Sequence, residues 1–383
     1  MQKKGLIKLA LLLPLVSSCA GGHITYPKED YSFEMQFVEG FTICQLNDIH
    51  LSTSSNLDIE FEYLRNVIYS KSEYEHPNES SLLYRPNLLV LNGDTFQFAN
   101  KEIVVKLFDF LDSLKIPYCF TYGNHDYQGN YAQDFIANEL FKRQYNDQIP
   151  IDSEEQKHFA LYKDPNNDDV YGHSNYLVNL TYLGNIQYQI YIFDSNSYVI
   201  GDYDRIHDDQ VSWYERMVLS SNGYTTKPDV INDDTFAKSL AFFHIPTEEF
   251  KYAIDDYKAN HPNGEIYDGY EYCDAREDVC CSSIDSNLVE KMQELRSTVS
   301  IGAAHDHVNQ TDLWYKGDST WPIRLIYGSK SAQGIYHDDD QLGAVFYTLK
   351  ETPLVDGDKT FYFDLTRMHV TYEGEVSKLW PRD

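Results

Sequence analysis

The chain has 383 residues, a formal net charge of -29 at pH 7, and 32 Tyr and 20 Phe among its side chains. So acidic a chain offers no basic stripe to displace counterions from a nucleic-acid backbone, which excludes nucleic-acid polymers as partners and favours cations. The length exceeds that of a usual single domain but suits a large α/β enzyme with one double-layered core, and the aromatic residues supply area to fill it.

Residues 1–18 read as a targeting segment, in which Lys3 and Lys4 precede an apolar run, Leu6 to Val16, too short to span a bilayer as a helix. The run closes in Val16-Ser17-Ser18-Cys19, which is similar to a bacterial lipoprotein signal. That likeness implies an exported protein whose lipidated first residue, Cys19, holds it on a membrane surface; a plain secretory signal is the alternative. Residues 19–38 would then be the lipidated N-terminus and tether, since Gly21 to Glu34 shows no periodicity. No later stretch is long and apolar enough to cross a bilayer. Cys44 and Cys119 fall in strand-like runs and read as buried thiols. Cys273, Cys280 and Cys281 cluster in an acidic loop that suits one disulfide, with the pairing open.

From Phe41 a short apolar run, a polar turn and an amphipathic segment repeat along the chain. The runs are Phe41 to Leu46, Leu88 to Leu91, Ile116 to Phe120, Leu240 to Phe243, Val299 to Ala304 and Ile323 to Tyr327. Asn100 is placed to cap a helix carrying Ile103, Val104, Leu107, Phe108 and Leu111 on one face, and Asn287 another carrying Leu288, Met292 and Leu295. Strands alternating with helices predict an α/β protein with buried sheets. Two hairpins break the alternation, Ser174 to Leu180 with Gln187 to Phe193, and Ala344 to Leu349 with Thr360 to Leu365, while Met368 to Tyr372 adds a candidate strand. The acidic stretches Asp164 to Asp169, Asp202 to Asp209 and Asn263 to Asp285 read as surface loops.

Five polar turns that directly follow apolar runs carry metal-ligand residues: Asp48-Ile49-His50, Gly93-Asp94, Asn124-His125-Asp126, His244 and His305-Asp306-His307. Open α/β sheets bind ligands beyond the carboxyl ends of their strands, so five such turns are expected to converge on one crevice. Asp48 with His50, and His305 with His307, can each chelate from one side of an extended segment, and the two oxygens of Asp94 can bridge a pair of ions. Asn124 brings a carbonyl oxygen and His244 a nitrogen. Mixed oxygen and nitrogen donors suit Zn, Fe, Mn or Co rather than copper thiolate chemistry or calcium.

In this order the motifs resemble the calcineurin-like metallophosphoesterase superfamily over Phe41 to His307. The resemblance implies a four-layer α/β/β/α sandwich, two mixed β-sheets flanked by helices, with residues 39–383 as one catalytic domain. It implies two divalent or mixed-valence transition metal ions, one held by Asp48, His50, Asp94 and His307 and the other by Asp94, Asn124, His244 and His305. The expected chemistry is hydrolysis of small phosphate esters by a hydroxide bridging the ions, phosphomonoesters first. His125 would protonate the leaving oxygen or stabilise phosphoryl charge, and Asp126 would orient it. A phosphodiesterase or nucleotidase on the same site, and a ligand-binding surface lipoprotein without turnover, stay open as alternatives.

Phe243-His244-Ile245-Pro246, Ala304 to Asn309, and Phe193-Asp194-Ser195 with Gln210 and Trp213 resemble the purple-acid-phosphatase-like branch. Purple phosphatases carry a tyrosine ligand where this chain has Gln97, so no iron tyrosinate colour is expected. Ala304 stands where glycine is usual. Gln97 and Asp306 are read as supporting residues. His173, Asn175 and His337 are candidates for the cleft wall, although loop histidines among tyrosines are commonly solvated surface.

Overall fold

The computed structural model describes residues 31–129, 132–164, 170–267, 269–357 and 359–381. The targeting segment and Cys19 lie outside them. Each of the six apolar runs is a strand within a residue or two of its expected ends: Thr42–Leu46, Leu88–Asn92, Tyr118–Thr121, Lys238–Phe242, Thr298–Ala303 and Ile323–Tyr327. Leu88–Asn92 is buried at every position, as a parallel strand covered on both faces requires.

These strands form the centres of two mixed sheets. In the seven-stranded sheet Thr42–Leu46, Leu88–Asn92 and Tyr118–Thr121 run parallel beside Ala160–Leu161 on one side. On the other side stands an antiparallel flank of Gly343–Asp356, Lys359–Val370 and Val376–Trp380. The eight-stranded sheet holds Lys238–Phe242, Thr298–Ala303 and Ile323–Tyr327 in parallel, flanked by the hairpin Tyr176–Tyr182 with Asn185–Ile192. Helix Leu57–Glu75 packs on the antiparallel flank of the first sheet, and helix Glu248–Asn260 on Asn309–Tyr315 and Tyr272–Ala275 of the second. This is the expected sandwich of two mixed sheets with helices outside.

Polar side chains join the inner faces. Asn92 donates to the carbonyls of Phe243 and Gly302 at 3.0 and 3.1 Å, and Gln45 donates to Ala303 at 3.1 Å. Arg367, fully buried in the first sheet, donates to the carbonyls of Thr311 and Tyr327 in the second at 3.0 and 2.7 Å and to Ser329 Oγ at 3.0 Å. A buried donor that serves three acceptors fixes how the layers slide over one another.

Four expectations are corrected. The stretch 19–38 is not all tether: Ser32–Gln36 is a strand paired parallel with Tyr176–Tyr182, because Phe33, Met35 and Phe37 alternate with polar residues and turn one face to the core. Its Ser32 end lies beside Leu177, level with the carboxyl end of Asn185–Ile192. Met368 to Tyr372 is no separate strand. Lys359–Val370 runs through most of it, a turn at Gly374 with φ 87° follows, and Val376–Trp380 is the added strand. Asn100 caps its helix by accepting from Ile103 N at 3.0 Å, but Asn287 sits left-handed at φ 57° and Ser286 Oγ takes Leu288 N instead. Cys273, Cys280 and Cys281 are free thiols, and Cys273 belongs to the strand Tyr272–Ala275 rather than to a loop. Replacing Arg367 by Met should leave its acceptors buried and unpaired, lowering the unfolding free energy in urea titration by about 2–4 kcal/mol.

Candidate metal centre

All five turns open at the carboxyl ends of parallel strands, three on one sheet and two on the other. Where the chain bends into them, Asp48, His50, Asp94 and His305 take φ of 52°, 53°, 48° and 83°, a left-handed region costly for residues with a side chain. Neighbouring glycines make the close approach possible. A Cβ on Gly93 would lie 2.5 Å from the His244 ring, and one on Gly123 would lie 2.3 Å from Asp94 Oδ1.

The approach brings six of the seven ligand residues expected from the sequence together in two clusters, and Asn124 precedes His125, whose backbone N–H is held by Asp94. Asp48, His50, Asp94 and His307 form one, Asp94, His244 and His305 the other, with one donor atom per residue inside 4.8 Å. Asp94 Oδ1 accepts the His125 backbone N–H at 2.7 Å, while Oδ2 lies 3.2 Å from His244 Nε2 and 3.6 Å from His50 Nε2. Asn124 gives its Nδ2 to Tyr198 at 2.5 Å, which leaves Oδ1 as its spare atom.

The donor set fits cations. Asp48 Oδ1, Asp94 Oδ2, Asn124 Oδ1 and His244 Nε2 are buried with no hydrogen-bond partner among the described residues, a costly state that a shared positive charge relieves. His244 Nδ1 faces the Asn92 carbonyl at 3.0 Å and His307 Nδ1 that of Tyr336 at 2.9 Å, so each Nδ1 carries a proton and each Nε2 is the nitrogen turned to the centre. His50 Nε2 and His307 Nε2 stand 3.0 Å apart, a distance that two lone pairs tolerate only with a cation or proton between them.

His125 lies at the mouth with its side chain one-quarter exposed and Nε2 4.0 Å from Asp94 Oδ2. Asp126 does not orient it. That carboxylate accepts the backbone N–H groups of Thr95, Phe96 and Gly123 and ties two turns together, whereas Gln128 Oε1 holds His125 Nδ1 at 3.0 Å. Lys330, absent from the sequence reading, is buried and donates to the Asp48 carbonyl at 2.5 Å. It follows the strand Ile323–Tyr327 in the same position as the ligand turns follow theirs, and that placement was the available signal.

Asp306 turns away from the centre, taking Tyr327 OH at 2.5 Å and Cys280 N at 3.1 Å, and Gln97 is tied by its backbone to Leu51. His173 pairs with Asp164, Asn175 with Gln210, and His337 with Asp339; none joins either cluster. A cavity of about 680 Å³ lined by Arg85, Lys115 and Tyr145 lies at the opposite, amino-terminal strand ends and includes no ligand residue.

Burial pushes the His305 imidazole down to about 3 and that of His307 down to about 2, which keeps both neutral as ligands. Burial works against charge on His244 as well, but the Asp94 and Asp48 carboxylates outweigh it and lift this imidazole to about 9. A proton therefore sits on His244 in the metal-free site at neutral pH, and a metal ion must displace it. Affinity for added Mn(II) should rise about tenfold per pH unit from pH 6 towards 8, read by calorimetric titration, and His244→Ala should flatten that slope.

Residues 41–309 match the sequence profile of the calcineurin-like phosphoesterase family. Over 286 residues the chain is 26% identical to an uncharacterized protein of Schizosaccharomyces pombe, covering 70% of this chain and 45% of that one. The chain thus spans less than half the length of that relative. It is 23% identical over 308 residues to the probable inactive purple acid phosphatase 29 of Arabidopsis thaliana, covering 75% of this chain and 71% of that one. Among solved structures, a dimetal phosphatase from Danio rerio superposes with a TM-score of 0.48 at 13% identity over 85% of this chain and all of its own. A Thermus thermophilus protein superposes with a TM-score of 0.38 at 8% identity over 81% of this chain and 94% of its own. The profile spans well over half of the chain and includes all five ligand-bearing turns, so this protein belongs to the calcineurin-like phosphoesterase family.

Proposed function

We propose that this protein is a binuclear metal-dependent phosphoesterase acting on small phosphate esters, phosphomonoesters first. The observation that carries the reading is the set of four partnerless buried atoms, on Asp48, Asp94, Asn124 and His244, gathered beneath the partly exposed His125 ring. Asp48, His50, Asp94 and His307 would hold one ion, and Asp94, Asn124, His244 and His305 the other. Bound there, two ions of Zn, Fe, Mn or Co would supply positive charge against a phosphoryl group and acidify water.

The chain's own residues do the rest. Gln128 anchors His125 by accepting from Nδ1 and leaves Nε2 free, so the ring in its protonated form can give its Nε2–H to the departing ester oxygen. The Asp94 carboxylate, fixed through one oxygen by the His125 amide, keeps imidazole and metal ligands in one register. The net charge of -29 disfavours polyanionic substrates and suits a small ester with one phosphate.

His125→Ala should retain two metal equivalents and lose about 10²–10⁴ in kcat on p-nitrophenyl phosphate, whereas Asp94→Ala should lose bound metal and turnover together. Full activity in the His125 variant would refute its role. Comparison with bis(p-nitrophenyl) phosphate separates the phosphodiesterase reading, and loaded metal without turnover on either ester would support a binding protein instead. The likeness around Cys19 supports export and lipid attachment; Cys19→Ser should move the protein from the membrane fraction to the soluble fraction of expressing cells.

A further inference from the structure

A short ribbon, Tyr198–Val199 paired antiparallel with Asp202–Tyr203, touches two of the ligand residues. Tyr198 OH receives the Asn124 Nδ2–H at 2.5 Å, and just before it Ser197 Oγ donates to the Asn124 carbonyl at 3.2 Å. On the return strand the Tyr203 ring stands edge-on to His305, with centroids 4.5 Å apart at 82°. Both contacts fall on the same side of the centre. The ligands belonging only to the other cluster are supported from the core and its loops, His307 by the Tyr336 carbonyl and Asp48 by Lys330.

The roots of the ribbon are firmly moored. Asn196 Nδ2 donates to the Arg205 carbonyl at 2.7 Å, Asp204 N to the Ser197 carbonyl at 3.1 Å, and Ser283 donates to Asp202 from N and Oγ at 2.9 and 2.6 Å. Its tip, Ile200, is fully exposed. An anchored base under a free tip is a rigid bracket for whatever the two tyrosines hold.

An asparagine amide has two ends of similar shape and opposite polarity. Facing a cation, Oδ1 attracts and the Nδ2 hydrogens repel, so an Asn ligand serves only while something holds its Nδ2 outward. We propose that the 198–203 ribbon is a clamp for one of the two metal positions, with Tyr198 the positioning residue that keeps the Asn124 oxygen inward and Tyr203 the one that sets the His305 ring. The clamp rests on the two-metal reading given above and assigns its second position a support separate from the first. Removing the Tyr198 hydroxyl leaves a buried Nδ2–H unpaired whenever the oxygen binds metal, a penalty that appears only on binding at that position.

The test is Mn(II) titration by calorimetry, with electron paramagnetic resonance counting bound ions, on wild type, Tyr198→Phe, Tyr203→Phe and Tyr203→Leu. Wild type should take up two ions. Tyr198→Phe should keep one at wild-type affinity and loosen the other by roughly tenfold to a hundredfold, with unchanged thermal unfolding of the metal-free protein. Tyr203→Phe, which keeps the ring, should match wild type, and Tyr203→Leu should loosen the same single ion. Two ions at wild-type affinity in Tyr198→Phe would overturn the clamp, as would equal weakening of both. Fewer than two ions in wild type would remove the two-metal reading itself, a failure distinct from these.

Discussion

Asp94 is the carboxylate that both sheets share. It follows a strand of the seven-stranded sheet, yet its free oxygen lies 3.2 Å from His244, which ends a strand of the other sheet. Its second oxygen is occupied by the His125 amide. Burial alone would raise the carboxyl, but the imidazoles of His244 and His50 outweigh burial and hold it below the usual carboxylate range. An ionised group with no access to water needs compensating charge at that spot, which protonated His244 supplies in the metal-free site and a bound cation would supply in its place.

That requirement explains features that otherwise look like defects. Left-handed backbone at Asp48, His50, Asp94 and His305 costs on the order of 1 kcal/mol or more at each position. Such strain persists only where the surroundings leave no alternative. Here they leave none: Asn92 and Gln45 pin the strand ends across the sandwich, Asp126 ties the Thr95 and Gly123 turns, and Gly93 and Gly123 remove the side chains that would collide. The metal-free protein thus holds a preformed cage of donors, which is how a site gains affinity without large rearrangement.

Much of this arrangement was legible in the sequence because the ligands share a local rule, a polar turn immediately after an apolar run. The rule located six strands and the six residues of the two clusters, but not Lys330, which holds the Asp48 carbonyl. It failed where the signal was not local. Phe33, Met35 and Phe37 alternate as a strand should, but the strand pairs with residues far along the chain, and a segment flanking a signal reads as tether. Asp126 follows His125 directly and so looks like its partner, yet in a tight turn adjacent side chains diverge, and Gln128, three residues on, faces the imidazole. The tyrosines of the ribbon were lost among 32 of their kind, and only tertiary contact with Asn124 and His305 sets them apart. The acidic cysteine loop invited a disulfide; Cys273 belongs instead to a strand of the eight-stranded sheet, and the three thiols are free.

The direction of the first strand carries a geometric consequence. Because Ser32–Gln36 runs parallel to Tyr176–Tyr182, its start lies at the end of the sandwich where the histidines gather, and the polypeptide enters the body on that rim. A leash fastened upstream of Tyr31 would pull on that rim, at the edge of the eight-stranded sheet. A molecule held in this way would turn the histidine-bearing end of the sandwich towards its own attachment.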